Sequence, residues 1–216
     1  QEDARSFIKR YGHLSPRTGG GRKRPDARAM DWQKFLLERG YFARNIPREY
    51  GGFGLPLDIM ELAIIADEFS NAGVSPGIMN QGISMLVPTL LEIGTKEQCA
   101  RWVGPTIRGD IIWCQGYSEP HAGSDLALLS MSARRDGDEF VCNGTKIWTT
   151  HANVANWIFC LVRTSQLARP QQGITFLLIP MDTPGITVTP IVMTSGEHIQ
   201  NQIFFDNVRV PVTNVV

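Results

Sequence analysis

The spacing of apolar residues changes character once along the 216-residue chain. Over the first hundred or so residues it follows a helical period. Across residues 56–72, Leu62, Ile65, Ala66 and Phe69 share one stripe while Asp58, Glu61, Asp67 and Glu68 fill the rest. That pattern predicts an amphipathic helix, with Pro56 in its first turn and Gly73 as its stop. A second helix is predicted over about residues 31–39, with Trp32, Phe35 and Leu36 inward and Gly40 ending it. Residues 78–93 are apolar on most sides and read as a buried helix. Thr95-Lys96-Glu97-Gln98 has the spacing of a capping box, so a further helix starts there and carries Cys99, Trp102 and Val103.

Beyond about Gly109 the helical period gives way to short apolar runs separated by turn residues. Strands are predicted at 111–117, 129–135, 139–143, 146–150, 157–164, 174–180, 186–193 and 203–210. Asp136-Gly137 and Asn143-Gly144 read as tight turns between neighbouring strands. The expected fold class is therefore α+β multidomain. An all-α helical domain over 1–110 precedes an antiparallel β-barrel or sandwich over 111–216. No internal repeat is visible.

Composition narrows the function without choosing it. Hydrophobic residues at 43% and charged residues at 19% are ordinary for a soluble globular chain. Lys+Arg and Asp+Glu number 21 each, so no net field steers the protein toward nucleic acid or an anionic membrane, and an anionic substrate must be held by local groups. Cys99, Cys114, Cys142 and Cys160 form no CxxC pair and sit in apolar runs, as buried thiols in a reducing compartment do. The four histidines add no metal-ligand spacing, and no metal site is expected. With no apolar run near the roughly 20 residues of a membrane span and a polar N-terminus, a soluble, intracellular protein is expected. The basic, glycine-rich stretch from Ser15 to Arg28 (Arg17, Arg22, Lys23, Arg24 and Arg28 around Gly19-Gly20-Gly21) reads as a solvated loop between helices.

Several nucleotide and hydrolase signatures are excluded. Gly51-Gly52-Phe53-Gly54 lacks a following Lys-Ser/Thr and a preceding strand, so it is a helix-to-helix turn rather than a phosphate loop. Neither GxGxxG nor GxSxG occurs. Two other segments carry candidate chemistry. The stretch from Gln115 through Gly116, Tyr117, Ser118, Glu119, Pro120 and His121 to Ala122-Gly123-Ser124-Asp125 ends a strand in a polar loop. Its hydroxyls and backbone amides suit a heterocycle edge and a phosphate, although alone it reads first as an ordinary capped turn. Asn143-Gly144-Thr145-Lys146-Ile147-Trp148-Thr149-Thr150, followed by Ala155-Asn156-Trp157, places an indole at a strand end, where it covers a flat ring or fills the core.

Taken together, the E-P-x-A-G-S-D loop, the N-G-x-K-x-W-x-T strand and A-N-W resemble the acyl-CoA dehydrogenase family. Phe204-Phe205-Asp206-Asn207-Val208-Arg209-Val210-Pro211 resembles the end of that family's β domain. Gly40-Tyr41-Phe42 and Pro47-Arg48-Glu49-Tyr50-Gly51-Gly52 resemble its N-terminal segment. The likeness covers nearly the whole chain in order. Within the family it is similar to bacterial members that include pimeloyl-CoA dehydrogenase large subunits and steroid-degradation enzymes. The resemblance implies FAD as cofactor, with Gln115, Gly116, Tyr117 and Ser118 along the pyrimidine side of the isoalloxazine. It also implies that Gly123 and Ser124 approach the pyrophosphate, with Ser124 at the mouth of the acyl-CoA tunnel. Trp148 is expected to pack on the ring, with Thr149 beside it and Thr150 reaching the N5 region. Glu119 becomes a loop-structuring residue and Asp125 a loop cap. His121 stands where many relatives have glycine, which implies strain if that position needs positive φ.

The implied activity is α,β-desaturation of an acyl-CoA thioester, with electron-transfer flavoprotein as acceptor and a homo- or hetero-oligomeric, cytoplasmic enzyme. The catalytic base is expected on a C-terminal helical domain following residue 216, so no residue here takes that role. An acyl-CoA oxidase, a nitroalkane-oxidising flavoprotein or a non-catalytic partner subunit would use the same scaffold.

Overall fold

In the computed structural model, which describes residues 1–16 and 24–216, the chain forms two compact units, Gln1–Ile111 and Ile112–Val216. Arg17, Arg22 and Lys23 of the predicted basic loop lie outside the described residues.

The first unit contains α1 (Glu2–Tyr11), α2 (Ala27–Glu38), α3 (Ile59–Asn71), α4 (Val87–Ile93) and α5 (Lys96–Arg108). Side-chain caps decide where these helices begin. The Asp26 carboxylate accepts from the Ala29 N–H at 2.9 Å, so α2 starts before the apolar stripe does. Asp58 does the same for Glu61 at 3.0 Å, which leaves Pro56 outside α3 rather than in its first turn. Thr95 and Gln98 form the predicted capping box, at 3.2 and 2.8 Å. Of the stripe predicted on α3, only Phe69 is buried; Leu62 and Ile65 are half-buried and Ala66 is exposed.

Residues 78–93 are not one regular helix. A π-helical turn, Gly82–Leu86, precedes α4. Pro88 has no N–H to give the Ser84 carbonyl, and the helix widens ahead of it. Leu36, Leu86, Leu90, Val103 and Ile107 form the inaccessible centre of the unit. Gln33 is buried among them and fully used. Its Nε2 donates to the Ile107 carbonyl and its Oε1 accepts from the Ile78 N–H at 2.7 Å, tying α2 to α5 and to the approach to the π turn. The Gly51–Gly54 turn closes with Gly54 N–H on the Ile46 carbonyl at 2.9 Å. A Cβ on Gly52 would run into that same carbonyl oxygen.

The second unit contains β1 (Trp113–Gly116), β2 (Ser132–Asp136), β3 (Glu139–Lys146), β4 (Trp157–Arg163), β5 (Ile174–Pro180), β6 (Ile186–Val192) and β7 (His198–Pro211) in one sheet. β5 runs antiparallel along one edge of β4. β1 and then β2 pair in parallel along the other edge. From β2 the sheet continues antiparallel through β3, β7 and β6. The sheet is thus mixed rather than wholly antiparallel. Two chain reversals, the Gly137 hairpin and the 147–156 connection, separate β2 from β4 and leave them running the same way.

One core lies inside the curled sheet. Cys114, Ala133, Cys142, Ile158, Ile179 and Ile203 belong to a single cluster, against which Ile186 and Val188 of β6 also pack. Burial pushes the Cys142 thiol up to about 12 and Cys160 to about 11, and raises Cys114 as well, so these three stay protonated at neutral pH. Among the described residues no group of three or more His, Cys, Asp or Glu could hold a metal ion, and no helix is long and apolar enough to cross a membrane.

Asn143-Gly144 is not the turn its letters predict. Both residues lie inside β3, opposite a bulge in β7. Gly144 pairs with Phe205 but Cys142 pairs with Val208, so β7 carries one extra residue there. Asn207 takes it up at φ 52°, and the Asn143 side-chain oxygen accepts its N–H at 2.8 Å. Inward alternation therefore runs Ile203, Phe205 and then Val208, Val210. Gly144 sits at φ 149°, and a Cβ there would come within 2.8 Å of the Met131 Cα. The strand predicted at 146–150 is likewise absent, because β3 ends at Lys146.

Candidate cofactor-binding site

β1 ends at Gly116 and β3 at Lys146, and the chain leaving each runs beside the other. The Ile147 N–H donates to the Ser118 carbonyl at 2.9 Å. Beneath that contact Lys146, 0% exposed, donates from Nζ to the Tyr117 carbonyl at 3.1 Å and to Glu119 Oε1 at 2.8 Å. The buried Glu119 carboxylate also accepts from the Ser130 N–H (2.7 Å), the Ser130 hydroxyl (3.1 Å) and the Met131 N–H (2.9 Å). Burial alone would raise its pKa. The Lys146, Ser130 and Met131 donors outweigh that and hold it below the usual carboxylate range. With four hydrogen bonds accepted and almost no exposed surface, Glu119 is a structural anion.

After Glu119 the chain turns at once. Glu119 and Ala122 exchange N–H···O bonds of 2.8 and 3.1 Å across Pro120-His121. His121 is not among the positive-φ residues, so the strain anticipated for it does not arise; Pro followed by a residue of negative φ suits such a corner. Its ring is exposed, with Nε2 3.0 Å from the Ser130 oxygen. Gly123, Ser124 and Asp125 follow on the surface. Asp125 precedes the short 3-10 turn Leu126–Leu128, but its side chain makes no capping bond, contrary to its expected role.

Gly116 is buried, whereas Gln115, Tyr117 and Ser118 are half-buried. Burial raises the Tyr117 hydroxyl above its ordinary range, and a hydrogen bond from the Gln115 side chain partly opposes the shift. Beyond Lys146 the chain forms an arch with two non-glycine residues at left-handed φ, Trp148 at 58° and His151 at 60°. Alternation across the arch sets the side chains apart. Trp148 is 58% exposed, so it is not a core aromatic. Thr149 is buried with its Oγ1 lacking a partner, and Thr150 is half-buried. The structure therefore sets Ser118 against Ile147, the residue before Trp148, and places the Thr149 side chain in the interior.

Two anchoring residues carry no signal in the sequence. Gln200 and Asn201, at the start of β7, hold Thr150 and Thr149. Their only trace is a polar run, Gln200-Asn201-Gln202, where an inward strand position should be apolar. Asn156, by contrast, lies in the A-N-W motif. Its Oδ1 accepts from the Ile112 N–H at 2.7 Å while its own N–H donates to the Ile112 carbonyl at 3.0 Å, which joins the starts of β1 and β4.

An exposed indole, a fixed threonine hydroxyl and the edge of a half-buried polar strand suit a flat, polar-edged ring. The Thr149 hydroxyl is buried without a partner and does not contribute to that surface.

The family profile described as "Acyl-CoA dehydrogenase, N-terminal domain" matches residues 1–110, and "Acyl-CoA dehydrogenase, middle domain" matches 114–208. Acyl-CoA dehydrogenase IpdE1 of Mycobacterium tuberculosis is 38% identical over 187 residues, which cover 86% of this chain and 48% of the relative. The solved Tcur3481-Tcur3483 steroid ACAD is similar at a TM-score of 0.81 and 34% identity, across 100% of this chain and 56% of that one. The ChsE4-ChsE5 complex from Mycobacterium tuberculosis gives 0.78 and 31%, across 100% and 55%. The chain spans about half the length of the curated relatives it matches.

Proposed function

The chain belongs to the acyl-CoA dehydrogenase family, and from that premise we propose that the protein binds FAD on the Ser118 and Trp148–Thr150 surface and desaturates an acyl-CoA thioester. The observation that carries the reading is the bond that joins the 115–118 and 147–150 segments at Ser118 and Ile147, with Trp148 exposed and Ser118 and Thr150 half-buried. Flavin, when bound, supplies the two-electron acceptor for the hydrogen leaving the β-carbon. This chain's residues do the holding. Trp148 offers a flat apolar face, and Thr150 and Ser118 offer hydroxyls to the polar ring edge. Glu119 and Lys146 keep the two segments in register from below. Gly123 and Ser124, on the exposed loop, would meet the phosphate and acyl-CoA side. No residue of this chain is proposed as the base that removes the α-proton. The steroid in one relative's name motivates including bulky acyl groups among substrates tested, and electron-transfer flavoprotein is the proposed acceptor.

The test uses the purified full-length protein. Its flavin absorbance is recorded, then bleaching is followed anaerobically with a panel of linear, branched and steroid-side-chain acyl-CoAs. Bleaching with enoyl-CoA formation supports the reading. In Trp148→Ala the FAD dissociation constant should rise by about tenfold, as loss of a stacking face worth about 1 kcal/mol or more requires. A protein purified without flavin that fails to take up FAD would sink the proposal.

A further inference from the structure

The Trp148–His151 arch holds two residues in a backbone region that non-glycine residues avoid, so the surrounding structure must over-determine it. Asn201, 0% exposed, does so. Its carbonyl accepts the Thr149 N–H at 3.0 Å, and its Nδ2 gives one hydrogen to the Thr149 carbonyl at 3.0 Å and the other to the Ile199 carbonyl at 3.2 Å. With both amide hydrogens committed to carbonyls, Asn201 Oδ1 can only accept, so His198 Nε2, 2.8 Å away, carries the hydrogen of that bond. The His151 N–H closes the arch on the Ile199 carbonyl at 2.8 Å.

Asn201 faces the interior, and its neighbour Gln200 meets the Thr150 side chain. Gln200 Nε2 lies 3.1 Å and Oε1 3.3 Å from the same atom, Thr150 Oγ1. The amide therefore offers that hydroxyl a donor and an acceptor at once. When Gln200 Nε2 donates to Oγ1, the Thr150 hydrogen is free to point outward. When the Thr150 hydrogen turns to Gln200 Oε1, the oxygen is free to accept. A hydroxyl beside a ring nitrogen needs both settings. It must donate while the nitrogen is bare and accept once the nitrogen carries hydrogen.

Resting on the flavin reading above, we propose that Gln200 is a positioning residue which, by letting the Thr150 hydroxyl act as donor or acceptor, sets the reduction potential of the bound flavin. Without the amide, Thr150 still donates to the oxidised ring, because its own hydrogen suffices. Toward the reduced ring it has lost the fixed acceptor for that hydrogen. The reduced form loses more, and the potential falls.

The test is dye-linked redox titration of the FAD-loaded full-length protein as wild type, Gln200→Met, Thr150→Ala and the double variant. In Gln200→Met the ratio of affinities for reduced and oxidised FAD should drop about tenfold, which for a two-electron couple is a fall of about 30 mV. In the Thr150→Ala background, Gln200→Met should add nothing, because Gln200 acts only through that hydroxyl. A merely structural role for Gln200 would shift both backgrounds alike, and that result overturns the proposal, as does an unchanged potential in the single variant. If Gln200→Met does not fold, Gln200→Asn replaces it; it withdraws the amide by one methylene and should lower the potential in the same Thr150-dependent way. Absence of FAD from the wild type overturns the parent reading and this one together. FAD bound at an unaltered potential in the Gln200 variants overturns this one alone.

Discussion

Replacing Lys146 by methionine probes the joint on which the candidate site depends. The substitution keeps the length of the stem and removes the charge that Glu119 faces at 2.8 Å. Stripping one partner from a buried ion pair costs about 3–5 kcal/mol, because a charge is left without its counterion. Glu119 would retain the Ser130 N–H, the Ser130 hydroxyl and the Met131 N–H, so the lower end applies, about 3 kcal/mol. That is a large part of the roughly 5–15 kcal/mol that holds a domain folded. Urea unfolding reads the global loss. Hydrogen exchange at the Ile147 amide reads the local one, since that N–H bridges to Ser118. Its protection should fall by about 100-fold, the equivalent of some 3 kcal/mol. Adding Glu119→Gln to Lys146→Met should recover about 1 kcal/mol or more, because no buried charge then remains. A Lys146→Met protein within about 0.5 kcal/mol of wild type, with Ile147 protection intact, would refute the reasoning.

Three further outcomes are expected. Because the Glu119 pKa is lowered on folding, its contribution is present above the unfolded-state carboxylate range, about pH 4.3, and is lost as pH falls through the lower folded value. Glu119→Gln should flatten that acid limb of stability measured by thermal unfolding against pH. Asn207→Val should destabilise the second unit by about 1–3 kcal/mol, since φ 52° is hard on a β-branched residue, whereas Asn207→Gly should be close to neutral in a urea titration. Gly52→Ala should cost more than the same change at Gly123, where a Cβ meets nothing within 4 Å; paired melting curves compare the two.

Helix existence was legible wherever an apolar stripe and a cap coincided, as at Thr95-Gln98. Boundaries followed the capping carboxylates of Asp26 and Asp58 rather than the stripe, since a satisfied N–H outweighs one more turn of periodicity. In the second unit, strand runs were legible but their ends were not. Asn-Gly reports that a backbone position tolerates unusual φ and does not say whether the chain reverses or bulges. Only the skipped parity in β7, Phe205 and then Val208, tells the two apart, and it is visible in the letters once the pairing is known. The strand expected over 146–150 gives way to the arch at 148–151, although Trp and Thr favour strands. What overrides that preference is tertiary: the backbone of Thr149 and His151 bonds to Asn201 and Ile199, fifty residues away in sequence.

The letters that carry the family resemblance fall into two physical kinds. Glu119 and Lys146 meet as a buried pair, Asn143 holds the bulge at Asn207, and Asn156 staples β1 to β4. These are joints, whose side chains tie one segment to another. Ser118, Trp148 and Thr150 are the remainder, partly or largely exposed at the segment ends that the joints hold in place. Each motif is ambiguous alone because it mixes both kinds, and a joint residue makes sense only beside its distant partner. Glu119 without Lys146 is an unpaired carboxylate in the interior, and that is why it tempts assignment as an acid or base. Its partner removes the temptation. A carboxylate that accepts four hydrogen bonds has no lone pair left with which to take a proton from a substrate.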